Sequence, residues 1–390
     1  MLHRELDLRP LIARKSLFLF GPRATGKSSL IEQTLSDDAL VLSLLDTRLA
    51  LELLAEPYRL ESIVLGAGRS NSPIVVIDEI QKVPALLDEV HRLIESRKWR
   101  FLLTGSSARK LKRGAANLLA GRAPQANLYP LVRHEIPDFD LGRYLLFGGL
   151  PAVYLSPEPA DDLDAYVNTY LREEIQAEGF VRKLPPFARF LKTLAISHGQ
   201  VINFAKMASD TAVPASTLRE YLSILHDTLV GFNLEAWADS KKRKAITTAK
   251  FYFFDTGVRN SLAGTHVLDR TSNTFGNLFE TFIGMELRAF LGYSRSREPL
   301  RYWRSTSHFE VDFLVGTSVA IEVKATERVN EQDLKGLRAL AEEGVFSRFV
   351  LVSQDPSPRV VELGGGATAS LLPWTDFLDR LWNNEFSPRA

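Results

Sequence analysis

The stretch Leu17-Phe18-Leu19-Phe20-Gly21-Pro22-Arg23-Ala24-Thr25-Gly26-Lys27-Ser28 decides how the front of this chain is read. Four apolar residues suit a short parallel strand buried on both faces. The eight that follow fit G-x-x-x-x-G-K-[ST] without a gap, and Ser29 to Leu35 reads as the helix behind them. Strand, glycine loop and helix in that order make an anion cradle. The glycines let backbone N–H groups curl round a phosphate, and the helix N-terminus faces the same charge. Gly21, Pro22, Arg23, Ala24, Thr25, Gly26, Lys27, Ser28 and Ser29 would then surround the phosphates of ATP. Lys27 reaches the β- and γ-phosphates and Ser28 holds Mg2+.

Working outward, Ile74-Val75-Val76-Ile77 is a second β-branched run ending at Asp78-Glu79. Carboxylates there meet the nucleotide at the carboxyl end of a parallel sheet. Asp78 is expected in the Mg2+ shell and Glu79 is expected to activate the attacking water. A third run, Arg100-Phe101-Leu102-Leu103, ends in Thr104-Gly105-Ser106-Ser107, where the Thr104 hydroxyl is the best placed to sense the γ-phosphate or position water.

The composition sets limits on the rest. The 390 residues exceed one ordinary domain, and hydrophobic content of 45% with charged content of 24% is globular. A net charge of +1 restricts any nucleic-acid surface to a local patch. With no cysteine, thiol catalysis, disulfides and Cys-based metal sites are excluded. No apolar run reaches the length of a membrane span and no signal-peptide core opens the chain, so a soluble cytoplasmic protein is expected.

Gly21–Ser28, Ile77-Asp78-Glu79-Ile80-Gln81, Leu103-Thr104-Gly105-Ser106-Ser107 and Leu119-Ala120-Gly121-Arg122 together resemble a bacterial and archaeal AAA+ ATPase family. Its members pair an archaeal-ATPase-like P-loop domain with a C-terminal region of unknown function, and the resemblance covers most of the chain. It implies an α/β fold, a helical lid after the ATPase core, and assembly as a homo-oligomeric, hexameric ring. In such rings an arginine of one subunit completes the neighbour's site. Arg122 carries over to that role, with Arg109 second.

The middle of the chain reads as helical. Residues 162–178 place Leu163, Tyr166, Val167, Tyr170, Leu171 and Ile175 at helical spacing, which suits the lid. Leu184-Pro185-Pro186 marks a boundary. Beyond it come a helix over 187–197, a short helix over 203–209 and a third opening at Pro214. Two extended segments follow, 231–238 and 250–254, flanking Lys241-Lys242-Arg243-Lys244. That order describes a winged helix. Residues 181–260 carry 12 Lys+Arg against 6 Asp+Glu. On a DNA-binding reading Ser216, Thr217 and Arg219 face the duplex while Lys241, Lys242, Arg243 and Lys244 contact phosphate. Winged helices also serve as protein-interaction modules, and that alternative stays open. His198 and His226 are isolated and read as packing or surface residues.

At the back, a helix over 275–291 carries Glu280 and Glu286. A hairpin follows, Arg301–Arg304 with Phe309–Val315, and then Val319-Ala320-Ile321-Glu322-Val323-Lys324. Glu322 and Lys324 are two apart and share a strand face. Asp312, Glu322 and Lys324 in this order resemble the PD-(D/E)xK restriction-endonuclease-like fold, although Val311 stands where that pattern has proline. The resemblance implies Asp312 and Glu322 as Mg2+ ligands, Lys324 as the orienter of water, and Glu280 as an accessory acid. Fold alone does not imply cleavage.

The expected architecture is an AAA+ core over 1–140, a helical lid or linker over 141–183, a winged helix over 184–265 and an α/β nuclease-like domain over 266–390. The expected activity is Mg2+-dependent ATP hydrolysis that remodels, or moves along, duplex or branched DNA. Two alternatives are a regulatory switch that binds a protein partner, of toxin–antitoxin or defence type, and an ATP-gated endonuclease.

Overall fold

The computed structural model describes residues 2–35, 39–68, 73–107, 123–171 and 184–386. Two sheets organise the fold. The first is wholly parallel and uses β1 (Leu17–Phe20), β2 (Ala39–Ser43), β3 (Ile74–Asp78), β4 (Arg100–Gly105) and β5 (Gln125–Asn127) in the order β2-β3-β4-β1-β5. Its central strands are buried on both faces, which explains their unbroken apolar runs. Val75, Ile77, Phe101 and Leu103 pack on one face, and Leu17, Leu19, Val76 and Leu102 on the other. The strand order sets β3, β4 and β1 side by side, so the three predicted motifs emerge at one edge. The loop after β1 enters α1 (Lys27–Leu35). The mixed α/β class with a parallel P-loop sheet is as expected.

Residues 184–253 form the helix–helix–helix–hairpin expected of a winged helix. α2 (Leu184–Ile196) carries Pro185 and Pro186 in its first turn, where the missing N–H is not needed. α3 (Phe204–Thr211) is capped by Asn203, whose side chain accepts from Lys206 N–H, and α4 (Ala215–Asp227) follows. Phe187, Phe190, Leu218, Tyr221 and Leu225 share one core with Phe251 and Phe253 of the hairpin. That hairpin is β6 (Gly231–Ala236) with β7 (Lys250–Phe253).

The second sheet adds β8 (Leu300–Arg304), β9 (Glu310–Val315), β10 (Val319–Lys324), β11 (Arg348–Ser353), β12 (Arg359–Gly364) and β13 (Ala367–Pro373). Its order is β12-β13-β11-β10-β9-β8-β6-β7. β6 pairs antiparallel with β7 and parallel with β8, through Glu235↔Arg301 and Ala236↔Tyr302. The winged-helix hairpin is therefore an edge of the nuclease-like sheet, and the sheet runs across the expected division at 265/266. α5 (Thr256–Ala263) leaves β7, with Asp255 as its cap. α6 (Asn273–Tyr293), opened by the Ser272 cap, lies against the sheet. Gly284 permits that approach, since a Cβ there would stand 2.6 Å from the Phe313 ring. α7 (Lys335–Ala341) and α8 (Trp374–Trp382) complete the cover. No described helix is long and apolar enough to cross a membrane.

Candidate nucleotide site and a second carboxylate cluster

The loop after β1 is shaped by its glycines. Gly26 has φ +90°, a region that disfavours a side chain, and a Cβ on Gly21 would stand 2.6 Å from the Leu128 carbonyl. Lys27 is buried, and its Nζ donates to the carbonyls of Gly21 at 2.7 Å and Pro22 at 3.1 Å. Thr25 Oγ1 donates to Pro22 O at 2.8 Å, while Ser28 and Ser29 are exposed at the start of α1. The loop is gripped from outside as well. Arg4 donates to Thr25 O and Tyr129 O, both at 2.7 Å, and pairs with Glu135 at 2.9 Å. Tyr166, from the helical region before 171, reaches the Arg23 carbonyl at 3.4 Å.

Beside this loop the two acids meet neutral partners. The Thr104 hydroxyl donates to Asp78 Oδ1 and accepts from Glu79 N–H at 3.3 Å. Gln81 Nε2 donates to Glu79 Oε2 and to Ser106 Oγ. Glu79 sits in the left-handed region at φ 61°, which turns its side chain off the strand end. Gly105 leaves room for this amide, since a Cβ there would meet Gln81 Oε1 at 2.4 Å and push the side chain aside. β3 and β1 are two strand spacings apart, roughly 10 Å. A triphosphate with its cation spans such a gap. The glycine cradle and the acids, which meet no cation among the described residues, fit Mg-nucleotide: loop N–H groups and Lys27 for the phosphates, Ser28 and Asp78 for the metal. Through its hydroxyl Thr104 joins Asp78 to Glu79. Arg109 and Arg122 lie outside the described residues.

The winged-helix residues divide. Ser216 and Arg219 are exposed on α4, with Arg219 over the Phe204 ring at 4.8 Å, and Thr217 is half-buried. The segment 241–244 does not project as a free tip. Glu343 accepts from Lys241 and Lys242 N–H at 2.7 and 2.9 Å. Arg243 donates to Ala339 O, pairs with Glu342 at 2.8 Å and covers the Phe309 ring. Arg243, expected on phosphate, is thus held by the nuclease-like domain, because the hairpin that carries it belongs to that sheet. Lys241, Lys242 and Lys244 remain exposed.

At the back, β9 and β10 bring Asp312 and Glu322 together as predicted. Val323 N–H donates to Asp312 Oδ2 at 2.9 Å, and Lys324 Nζ lies 2.6 Å from Glu322 Oε1. Burial pushes both carboxyls above their ordinary range, helped by repulsion from Glu280 on Asp312 and from Asp312 on Glu322. Glu280 joins from α6, accepting from Tyr252 O–H at 2.7 Å. Glu286, on the same helix, lies elsewhere, bound to Arg133 N–H and the Trp382 indole.

Sequence reading missed several participants. Lys250 enters the rear cluster from β7, and a lysine opening the apolar run Lys250-Phe251-Tyr252-Phe253-Phe254 was the available signal. Arg4 gave none. Neither did Arg288, which stacks on Tyr129 and Phe232 and lines a cleft with Gly21 and Pro22; burial lowers its pKa. Asp255 receives Gly149 and Val258 N–H at 2.8 and 3.0 Å, tying the Gly148-Gly149 turn to α5.

Comparison with known proteins bears on the whole chain. An AAA domain profile matches residues 13–136. Profiles described as Domain of unknown function (DUF8612) and Domain of unknown function (DUF4143) match 138–269 and 275–372. Uncharacterized proteins of Mycobacterium tuberculosis and Mycobacterium bovis are each 30% identical over 266 residues, 65% of this chain and 59% of theirs. The chain therefore spans under two thirds of those relatives. An uncharacterized protein of Methanocaldococcus jannaschii is 25% identical over 346 residues, 81% of this chain and 75% of its own. Among solved structures, the Aeropyrum pernix ORC1 protein in complex with DNA aligns at 15% identity. That alignment covers 68% of this chain and 93% of that one, with a TM-score of 0.29, too low to bear on fold or function.

Proposed function

From a chain whose residues 13–136 match an AAA domain profile, we propose an Mg2+-dependent ATPase whose nucleotide state is passed to a DNA-holding winged helix. One observation carries the coupling. Ser107, just past the end of β4 and three residues from Thr104, donates its hydroxyl to the carbonyl of Asp227 at 3.3 Å. Asp227 is the last residue of α4, the helix that presents Ser216 and Arg219 to solvent. Leu229, two residues on, packs against the ATPase core. A change at Thr104 on loss of the γ-phosphate therefore has a short route to the recognition helix.

In this reading Lys27 and the loop N–H groups hold the phosphates, Ser28 and Asp78 hold Mg2+, and Glu79 takes the proton of the attacking water. Thr104 keeps Asp78 and Glu79 in register. Arg122, from a neighbouring copy in a ring, supplies the stabilising charge. DNA lies across the exposed face of α4, with Lys241, Lys242 and Lys244 toward its backbone, and duplex or branched DNA is remodelled as the helix moves.

The test is ATP turnover by the full chain with no DNA and with duplex, single-stranded and four-way-junction DNA. Stimulation of at least severalfold by one form is expected, falling as salt rises. Ser107→Ala should reduce that stimulation more than it reduces basal turnover. Turnover indifferent to every DNA form would retire the DNA reading and leave a switch that acts on a protein partner.

A further inference from the structure

The rear cluster does not have the arrangement that a divalent cation requires. A nuclease-type metal needs carboxylates turned onto one point, with water completing the shell. Here Asp312 spends an oxygen on Val323 N–H, Glu322 spends one on Lys324 and Glu280 accepts from Tyr252. Between Glu280 and Glu310 stands the ammonium of Lys250, 3.4 Å from the first and 2.6 Å from the second. Among the described residues no group of three or more His, Asp or Glu is gathered as a metal site. The residues expected to hold Mg2+ therefore do not fit it as they stand.

Lys250 is foreign to the nuclease-like pattern. The acids come from α6, β9 and β10, whereas Lys250 opens β7 of the winged-helix hairpin. Its side chain is 4% exposed, and its Nζ lies 5.1 Å from the centre of the Tyr302 ring. An ammonium buried so deeply is tolerated only against carboxylates. Glu280 and Glu310 supply them, from two different elements. One buried carboxylate oxygen is left over: Glu322 Oε2 has no hydrogen-bond partner.

We propose that Lys250 is the resident cation of this cluster. Held by Glu280 and Glu310 beside Asp312 and Glu322, it supplies the positive charge that Mg2+ supplies in a working nuclease-like site, so the C-terminal fold serves as a platform fastened to the winged helix and not as a metal-dependent nuclease. Removing the ammonium would leave Glu280, Glu310, Asp312 and Glu322 facing one another with Lys324 on Glu322 and Arg304 on Glu310 at 3.5 Å, and the unpaired oxygen of Glu322 free to ligate.

The experiment titrates the full, nucleotide-free chain with Mn2+ and reads free Mn2+ by electron paramagnetic resonance. Wild type should show no site tighter than about 1 mM that Glu322→Gln removes. Lys250→Met should gain a site at least tenfold tighter, and adding Glu322→Gln should abolish it. Lys250→Gln serves where the methionine variant does not fold, as judged by circular dichroism. A wild-type Mn2+ site lost in Glu322→Gln overturns the proposal outright. A folded Lys250 variant that gains no site overturns it equally.

Discussion

Two acid clusters near lysines, both among the described residues, differ in where the lysines point. In the front site Lys27 donates to the backbone carbonyls of its own loop, and Asp78 and Glu79 are held by the neutral groups of Thr104 and Gln81. In the rear site the lysines sit directly on the acids, Lys324 on Glu322 and Lys250 on Glu280 and Glu310. Among the described residues the front acids meet neutral groups, and the rear site has already neutralised much of its own charge. The same residue types leave one cluster's charge open and the other's paired according to the partner of each ammonium.

The largest effect expected from breaking this contrast is at Lys27. Lys27→Ala should lower ATP turnover about a thousandfold, in the range seen when one electrostatic stabiliser is removed. Phosphate release measures it, and turnover within threefold of wild type would remove Lys27 from the site. Lys324→Ala should leave turnover near the wild-type value.

Next comes the rear lock. Lys250→Met leaves Glu280 without its buried counter-ion and Glu310 with Arg304 only, and losing one partner of such a pair costs about 3 kcal/mol. Chemical denaturation should show that loss, with no fall in ATP turnover beyond what reduced stability explains. Unchanged stability would mean the pair holds nothing together.

A smaller change separates support from chemistry in the front site. Thr104→Val preserves volume but removes the hydroxyl that serves both Asp78 and Glu79 N–H. An unsatisfied buried group costs about 1–3 kcal/mol. Turnover should fall roughly tenfold, less than for Lys27→Ala. An equal fall would make Thr104 a direct participant.

Legibility in the sequence followed locality. The front site was readable because its parts are short runs at the ends of consecutive buried strands, so Gly21–Ser28, Asp78-Glu79 and Thr104 needed only a parallel sheet to meet. Asp312, Glu322 and Lys324 were readable for the same reason, lying on one hairpin and its neighbour. Lys250 was not placed, because its contacts with Glu280 and Glu310 depend on β6 joining β8 across some 65 residues. The same pairing turned the expected free wing into a docked loop and took Arg243 from its expected phosphate. Arg4 and Arg288 reach the loop through tertiary packing, which leaves no local pattern.

The smallest effect is a pH balance at the joints between these regions. His198 is fully buried; its Nδ1 accepts Phe253 N–H at 3.1 Å and its Nε2 lies 2.8 Å from Thr281 Oγ1. Thr281 already donates to Asn277 O, so the ring is neutral with its proton on Nε2. Burial lowers its pKa from 6.5 to about 3. As pH falls below 6.5 the unfolded chain takes a proton that the folded one refuses, and stability drops. Glu286 is raised by burial from 4.5 to about 7. As pH falls from 7 toward 4.5 the folded chain holds a proton that the unfolded one has released, and stability rises. Between pH 7 and 6 these two terms are each about 1 kcal/mol and opposite in sign, so they nearly cancel each other within the wild-type slope. Measured against that slope, His198→Gln should gain more stability from pH 7 to 6, and Glu286→Gln less. Denaturant midpoints at the two pH values read both slopes; parallel slopes in the two variants would show that neither group sets the balance.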